Sequence, residues 1–289
     1  MNQELYEKQL IEKLKKNRHV ISFLKKNQLS ESFVEMNSDY FASWLQTLKK
    51  CEGCQGLPYC AQKIRGRVKT LYMDGKFLEE TYMPCRYMKK ETRELKHSLN
   101  YRYSHLSNEE YRIDLNQIQL KDESEEYIHA YTSILESIEM KKGIYLYGQP
   151  GVGKSYLCIG CANYYAKKGN VVSFVKVPQL IQDCKEALSD FDYQATILSH
   201  LKFSEILFLD DIGSESISQW TRDSILFPAL NYRMDHNLKT YFTSNYTMEE
   251  LEKQYYIKGK DVNFVSSDRF MERIRSLSQA VPLLGKSRR

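Results

Sequence analysis

Long apolar runs are missing from this chain of 289 residues. None approaches the roughly 18 consecutive apolar side chains that a membrane-crossing helix needs. The opening segment Met1-Asn2-Gln3-Glu4-Leu5-Tyr6-Glu7-Lys8 also lacks the apolar centre of an export signal. A cytoplasmic protein without membrane contact is expected. An even set of cysteines is missing as well: seven in an unexported chain argue for metal ligands or free thiols, and against a disulfide framework. Neither internal repeats nor low-complexity tracts are present. A strong charge of one sign is lacking too, since the net charge is +5. Residues 1–100 hold 19 Lys and Arg against 12 Asp and Glu, whereas residues 101–289 hold 23 against 25. Nucleic-acid binding therefore does not follow from composition, which would require a strongly basic chain.

The length and the 42% hydrophobic content allow about two packed domains. Within residues 2–29, Leu5, Leu10, Leu14, Ile21 and Leu24 recur among lysines at roughly helical spacing. One or two short amphipathic helices are expected there, packing on their own domain. Residues 100–126 are polar, tyrosine-rich and weakly periodic, so the boundaries are placed at an N-terminal domain 1–97, a linker 98–122 and a second domain 123–289. Tyr127, Ile128, Tyr131, Ile134, Leu135 and Ile138 then mark a helix. Short apolar runs at 143–147, 171–175, 206–209 and 240–243 alternate with helical stretches, the βαβ pattern of an α/β fold with a parallel sheet.

The most specific feature is Gly148-Gln149-Pro150-Gly151-Val152-Gly153-Lys154-Ser155, which fills every position of the phosphate-binding pattern G-x-x-x-x-G-K-[ST] between an expected strand and a helix opened by Tyr156. Glycines there let successive backbone N–H groups surround phosphates at the positive end of a helix. ATP is the expected ligand, with Lys154 on its phosphates and the Ser155 hydroxyl on Mg²⁺. About 55 residues on, Glu205-Ile206-Leu207-Phe208-Leu209-Asp210-Asp211 is an apolar strand ending in two carboxylates. Asp210 is expected in the Mg²⁺ shell and Asp211 beside the attacking water. The next strand ends in Thr243-Ser244-Asn245, where Asn245 can sense the γ-phosphate and the water. Asp268-Arg269-Phe270-Met271-Glu272-Arg273 puts Arg269 and Arg273 one turn apart on a helix. In an oligomeric ATPase such an arginine can enter the neighbouring subunit's site.

Cys51-Glu52-Gly53-Cys54, Cys60 and Cys85 form a separate constellation. Two thiolates on a glycine turn with two distant ones can complete a closed, structural Zn²⁺ site, and a small domain profits from such a staple. Cys158 and Cys161 share the C-x-x-C spacing but lie among Leu157, Ile159 and Ala162, where cysteine serves as a small buried hydrophobe.

Taken together, the four cysteines, the P-loop, Leu207-Phe208-Leu209-Asp210-Asp211-Ile212-Gly213, Thr243-Ser244-Asn245 and Arg269-Phe270-Met271-Glu272-Arg273-Ile274 make the chain resemble the DnaI-type bacterial primosomal helicase loaders, relatives of the DnaC and IstB ATPases in the AAA+ superfamily. The resemblance implies an AAA+ P-loop ATPase preceded by a small, mainly helical zinc-binding domain. It also implies that this first domain grips the replicative helicase hexamer, while the ATPase domain self-associates, contacts single-stranded DNA and helps place the ring on it. Arg273 is then the first choice for the trans-acting finger and Arg269 the second, with Arg288 in the sensor-2 role. Asp211 stands where AAA+ proteins commonly carry glutamate, so slow, partner-stimulated hydrolysis is expected. An IstB-like transposition ATPase and a P-loop kinase are the alternatives; the first leaves the cysteine domain without a reason, and the second lacks a basic lid and an acceptor pocket.

Overall fold

Asn17 sets where the N-terminal stripe breaks. Its side chain accepts the His19 N–H at 2.9 Å, capping a second helix as asparagine commonly does. Residues 3–27 therefore fold as α1 (Gln3–Lys15) and α2 (Arg18–Asn27). The computed structural model describes residues 3–256 and 265–288, and the chain divides into two units, 1–94 and 95–289. In the first unit α3 (Ser32–Met36) and α4 (Ser38–Lys49) follow, then an antiparallel hairpin of β1 (Arg67–Asp74) and β2 (Phe77–Pro84), and α5 (Arg86–Glu94). Its core gathers Leu14, Val20, Phe23, Leu24, Val34, Phe41 and Trp44 over Leu71 and Leu78 of the hairpin. Phe23 meets Phe41 and Trp44 edge-on, with ring centroids 5.6 and 6.0 Å apart. Of the expected stripe, Leu14 and Leu24 are buried and Leu10 packs at the margin, but Leu5 and Ile21 are exposed. The break at Asn17 resets the helical phase, and Val20 and Phe23 take the inward positions.

The second unit contains β3 (Tyr101–Ser104), α6 (Glu125–Ser137), β4 (Gly143–Tyr147), α7 (Lys154–Lys167), β5 (Val172–Lys176), α8 (Val177–Glu186), α9 (Phe191–Phe203), β6 (Ile206–Asp210), α10 (Phe227–Asp235), β7 (Lys239–Ser244), α11 (Met248–Tyr255), α12 (Val265–Leu277) and β8 (Ser278–Pro282). Six strands form one parallel sheet in the order β3-β5-β6-β7-β4-β8. Helices cover both faces, which is why β6 is buried along its whole length and reads as a continuous apolar run. One core layer includes α7 with Leu157, Cys158 and Cys161; the other includes Phe270, Met271 and Ile274 of α12. Parallel alignment brings the C-terminal tips of β4, β7 and β6 to one edge, with β7 in the middle. Among the described residues no helix is long and apolar enough to cross a membrane.

Residues 98–122 do not form a linker. β3 pairs in parallel with β5, Leu115 is fully buried, and Asn163 of α7 donates to the carbonyls of Glu110 and Ile113 at 2.9 and 2.8 Å. Gly160 permits the approach, since a Cβ there would lie 3.3 Å from the Leu115 Cα. The segment reads as polar because a short edge strand and short 3₁₀ turns leave every side chain but Leu115 exposed or only half-buried. Arg233 is a further unexpected anchor: fully buried, it donates to the carbonyls of Leu201, Ser204 and Lys239 and to Thr240 Oγ1 at 2.7–3.0 Å, tying the end of α9 to the starts of β6 and β7.

Because Leu115 sits in the core, Leu115→Ala should destabilise the second unit by about 2–5 kcal/mol. Urea unfolding of the full chain measures this. A loss below about 0.5 kcal/mol, the range of surface substitutions, would contradict the placement of residues 98–122 in the fold.

Candidate active site

The loop between β4 and α7 closes tightly on the rest of the sheet edge. Gly148 has φ +155°, and a Cβ there would lie 2.0 Å from the Leu283 carbonyl oxygen, so no other residue fits. Gly151 and Gly153 also take positive φ, and α7 starts at Lys154. The free N–H groups of its first turn thus face the loop, the arrangement that binds anions. Lys154 is buried and turned back on the loop, donating to the carbonyls of Gly148 and Gln149 at 2.7 and 2.9 Å. Val152 is buried in the core below, while Tyr156 remains exposed on the first turn of α7.

The two carboxylates have different surroundings. Asp210, at the tip of β6, is 5% exposed and accepts the Thr243 hydroxyl at 2.7 Å. Burial pushes its carboxyl above its ordinary value, while hydrogen bonds from Thr243 and Ser155 oppose that rise. Asp211 follows with φ +60°, a conformation an L-residue holds only when neighbours fix it. Its N–H donates to Thr243 Oγ1 at 2.8 Å. Its carboxylate accepts from Ser214 Oγ at 2.8 Å and from Asn245 Nδ2 at 2.9 Å.

Asn245 makes the central connection. Its Oδ1 accepts from Lys154 Nζ at 2.9 Å while its Nδ2 donates to Asp211. P-loop, β7 tip and carboxylate loop are thereby joined through one amide. Such a site can hold an anion at the start of α7 and a divalent cation between Ser155 and Asp210. It can also orient a water between Asp211 and Asn245. Hydroxyl and carboxylate are the hard oxygen donors that Mg²⁺ takes.

Thr243 and Ser214 escaped the sequence reading. In the sequence Thr243 reads only as part of the Thr243-Ser244-Asn245 strand end, without a role of its own, and the strand order reveals that it bridges Asp210 and Asp211. Lys176 was also missed: it stands opposite Asp210 in the sheet register and pairs with Glu110 at 3.0 Å.

The arginines lie elsewhere. Arg273 donates to Asn231 Oδ1 at 3.2 Å and pairs with Glu272 at 2.6 Å. Arg273 and Arg269 both flank the Phe227 ring on α10, at 5.2 and 5.6 Å from its centroid. Arg269 is exposed and Arg273 partly buried. Arg288 is adjacent to the P-loop: its N–H donates to the Gly151 carbonyl at 3.0 Å. Its guanidinium forms a two-pronged pair with Glu123 and lies 3.7 Å over the Tyr127 ring.

In the first unit, Cys51, Cys54, Cys60 and Cys85 all line one cavity of about 280 Å³. Gln62 Nε2 donates to Cys51 Sγ at 3.0 Å, and the backbone N–H groups of Gly66 and Met88 point at the sulfurs of Cys60 and Cys85 at 3.3 and 3.5 Å. Donors aimed at sulfur suit thiolates. Yet among the described residues no group of three or more Cys, His, Asp or Glu side chains is assembled so that it could hold a metal ion. The expected Zn²⁺ set is thus gathered in one place but not closed. Cys158 and Cys161 are fully buried in the α7 core, and burial pushes the Cys161 thiol up to about 12.

Thr243→Val should leave Asp210 and the Asp211 N–H without their shared partner. A cost of about 1–3 kcal/mol in stability follows from leaving buried polar groups unpaired. Affinity for Mg²⁺–ATP should fall together with stability, as read by calorimetric titration and urea unfolding. Unchanged affinity and stability would contradict the bridging role.

Comparison with known proteins agrees with this geometry. The sequence profile of the family described as IstB-like ATP binding protein matches residues 75–289. The replicative helicase loader DnaI of Bacillus subtilis (strain 168) is 27% identical over 288 residues, covering 97% of this chain and 92% of that protein. A crystal structure of DnaI is 32% identical and superposes with a TM-score of 0.56, over 67% of this chain and all of that one. A candidate primosome component from Streptococcus pyogenes serotype M3 is 32% identical with a TM-score of 0.54, over 67% of this chain and 97% of that one. With a P-loop, a two-carboxylate strand and a bridging asparagine assembled on a parallel sheet, and the family profile matched over the entire second unit, the chain belongs to the IstB-like ATP-binding family.

Proposed function

We propose that this protein is an ATP-dependent loader of the replicative DNA helicase, acting in the cytoplasm. The observation that carries the reading is the likeness to the Bacillus subtilis helicase loader along 97% of the chain, both units included. The transposition alternative would account for the ATPase unit alone.

In this reading ATP occupies the loop 148–155, and Lys154 exchanges the Gly148 and Gln149 carbonyls for phosphate oxygens. Mg²⁺, held by Ser155 and Asp210, would neutralise charge on the transferring phosphate. Asp211 and Asn245 orient the attacking water. The single short carboxylate at Asp211, already bonded to Ser214 and Asn245, favours slow hydrolysis until a partner rearranges it. Arg273 or Arg269, both directed at α10 in their own chain, would act on a neighbouring subunit's phosphate and so require self-association. Arg288 would contact nucleotide from the tail side. Single-stranded DNA would bind weakly and with a modest salt slope, because the unit neutralises few phosphates.

Residues 1–94 would grip the helicase hexamer. Zn²⁺ on Cys51, Cys54, Cys60 and Cys85 would close the cavity those thiols line and staple its loops to the hairpin.

Titrating the full chain, residues 1–94 and residues 95–289 against the helicase hexamer tests the division of labour. Residues 1–94, which have their own core, should bind with or without ATP and carry one equivalent of zinc by metal analysis. Binding by residues 95–289 alone would overturn the assignment of the grip. Less than half an equivalent of zinc would overturn the metal.

A further inference from the structure

Glu215 lies four residues beyond Asp211 and is 7% exposed. A carboxylate so deeply placed is retained only with partners. One oxygen accepts the Gly213 N–H at 2.8 Å. The other accepts the hydroxyl of Tyr255, the last residue of α11. Tyr255 is itself fully buried, its carbonyl accepts from the buried Arg222 at 2.8 Å, and its ring packs on Phe270 of α12 with centroids 4.5 Å apart.

Asp211 therefore sits in a loop fastened on two sides. β7 holds the near side: Thr243 Oγ1 takes the Asp211 N–H, the Thr243 carbonyl takes the Ile212 N–H at 2.9 Å, and Ser244 Oγ donates to the Ile212 carbonyl at 2.7 Å. Glu215 holds the far side. Without it, the Gly213 N–H and the Tyr255 hydroxyl lose their shared acceptor, and the loop with the φ +60° turn at Asp211 loses its far-side anchor.

We infer that Glu215 and Tyr255 are positioning residues for hydrolysis: their buried hydrogen bond holds the Asp211 loop in register with Asn245 and links it, through Phe270, to the helix that carries Arg269 and Arg273. The inference rests on the proposal that the chain hydrolyses ATP. Both residues are buried beneath the surface on which nucleotide would bind, so their effect falls on turnover and not on binding. The same linkage makes α12 and the Asp211 loop move together, so that engagement of an arginine with a neighbouring subunit is felt at Asp211.

Steady-state phosphate release and fluorescent-ATP affinity are measured in the full chain with its helicase and single-stranded DNA, for wild type, Tyr255→Phe, Glu215→Ala, Glu215→Gln and Lys154→Ala, with thermal unfolding as the fold control. Loss of alignment at a reacting group costs on the order of 10-fold to 100-fold in rate, so Tyr255→Phe and Glu215→Ala should lower kcat by about that factor. Nucleotide affinity should stay within about twofold, the split expected when only the turnover step loses an interaction. Glu215→Gln keeps an acceptor for Gly213 and a polar partner for Tyr255, and should restore most of the rate lost in Glu215→Ala. Should Glu215→Ala fail to fold, Tyr255→Phe against Glu215→Gln decides. A folded Tyr255→Phe with wild-type kcat would overturn the inference alone, as would equal losses in affinity and rate. A wild-type rate no higher than that of Lys154→Ala would overturn the hydrolysis proposal and this inference with it.

Discussion

One amide side chain holds the nucleotide site together. Asn245 accepts from Lys154 and donates to Asp211, and it can do so because β7 lies between β4 and β6 in the sheet. Strand order is thus the constraint from which the chemistry follows. Parallel strands end at the same edge, so a residue just past the middle strand stands within hydrogen-bonding distance of both neighbouring loops. Had β4 and β6 been adjacent, no third group could have reported on both. Thr243 exploits the same placement one layer deeper, as acceptor for the Asp211 N–H and donor to Asp210.

The bonds made by Lys154 explain how such a site can respond to ligand. Its ammonium donates to two loop carbonyls and to the Asn245 amide oxygen, which are neutral acceptors. Phosphate oxygens are charged acceptors, and charge-assisted hydrogen bonds are roughly twice as strong as neutral ones. Bound nucleotide would therefore compete with Asn245 for the lysine, and release of the amide oxygen would alter the partner of Asp211. In the proposed function, binding and the geometry of Asp211 would thus be coupled without any large movement. The proposed loading role would use this coupling, because it needs a nucleotide state that the helicase can read.

Much of this was legible in the sequence, and the residues show why. The P-loop and the strand ending in Asp210 and Asp211 carry their function in local spacing, so they could be read before any fold was known. Asn245 was legible through order along the chain. Thr243, Glu215 and Tyr255 were not, since their roles depend on which strands and helices become neighbours, and a threonine in an apolar strand or a tyrosine at a helix end carries no local signal. Residues 98–122 misled for a different reason: none of the side chains of the short edge strand Tyr101–Ser104 is fully buried, so its polarity resembles that of a linker. The stripe in residues 2–29 misled where Asn17 restarted the helix. The four cysteines line one cavity, but no metal-holding group is assembled among the described residues, because how closely sulfurs approach is a property of loops that spacing does not encode.

In the proposed function Asn245 links bound ATP to the work done on the helicase. The most direct measurement is the number of helicase rings deposited on circular single-stranded DNA, with and without ATP, by the wild type and by Asn245→Ala, with ATP affinity followed in parallel. Asn245→Ala should bind ATP within a few-fold of wild type and hold the helicase, yet deposit rings no better with ATP than without. Ring deposition by Asn245→Ala at the wild-type, ATP-stimulated level would contradict the account.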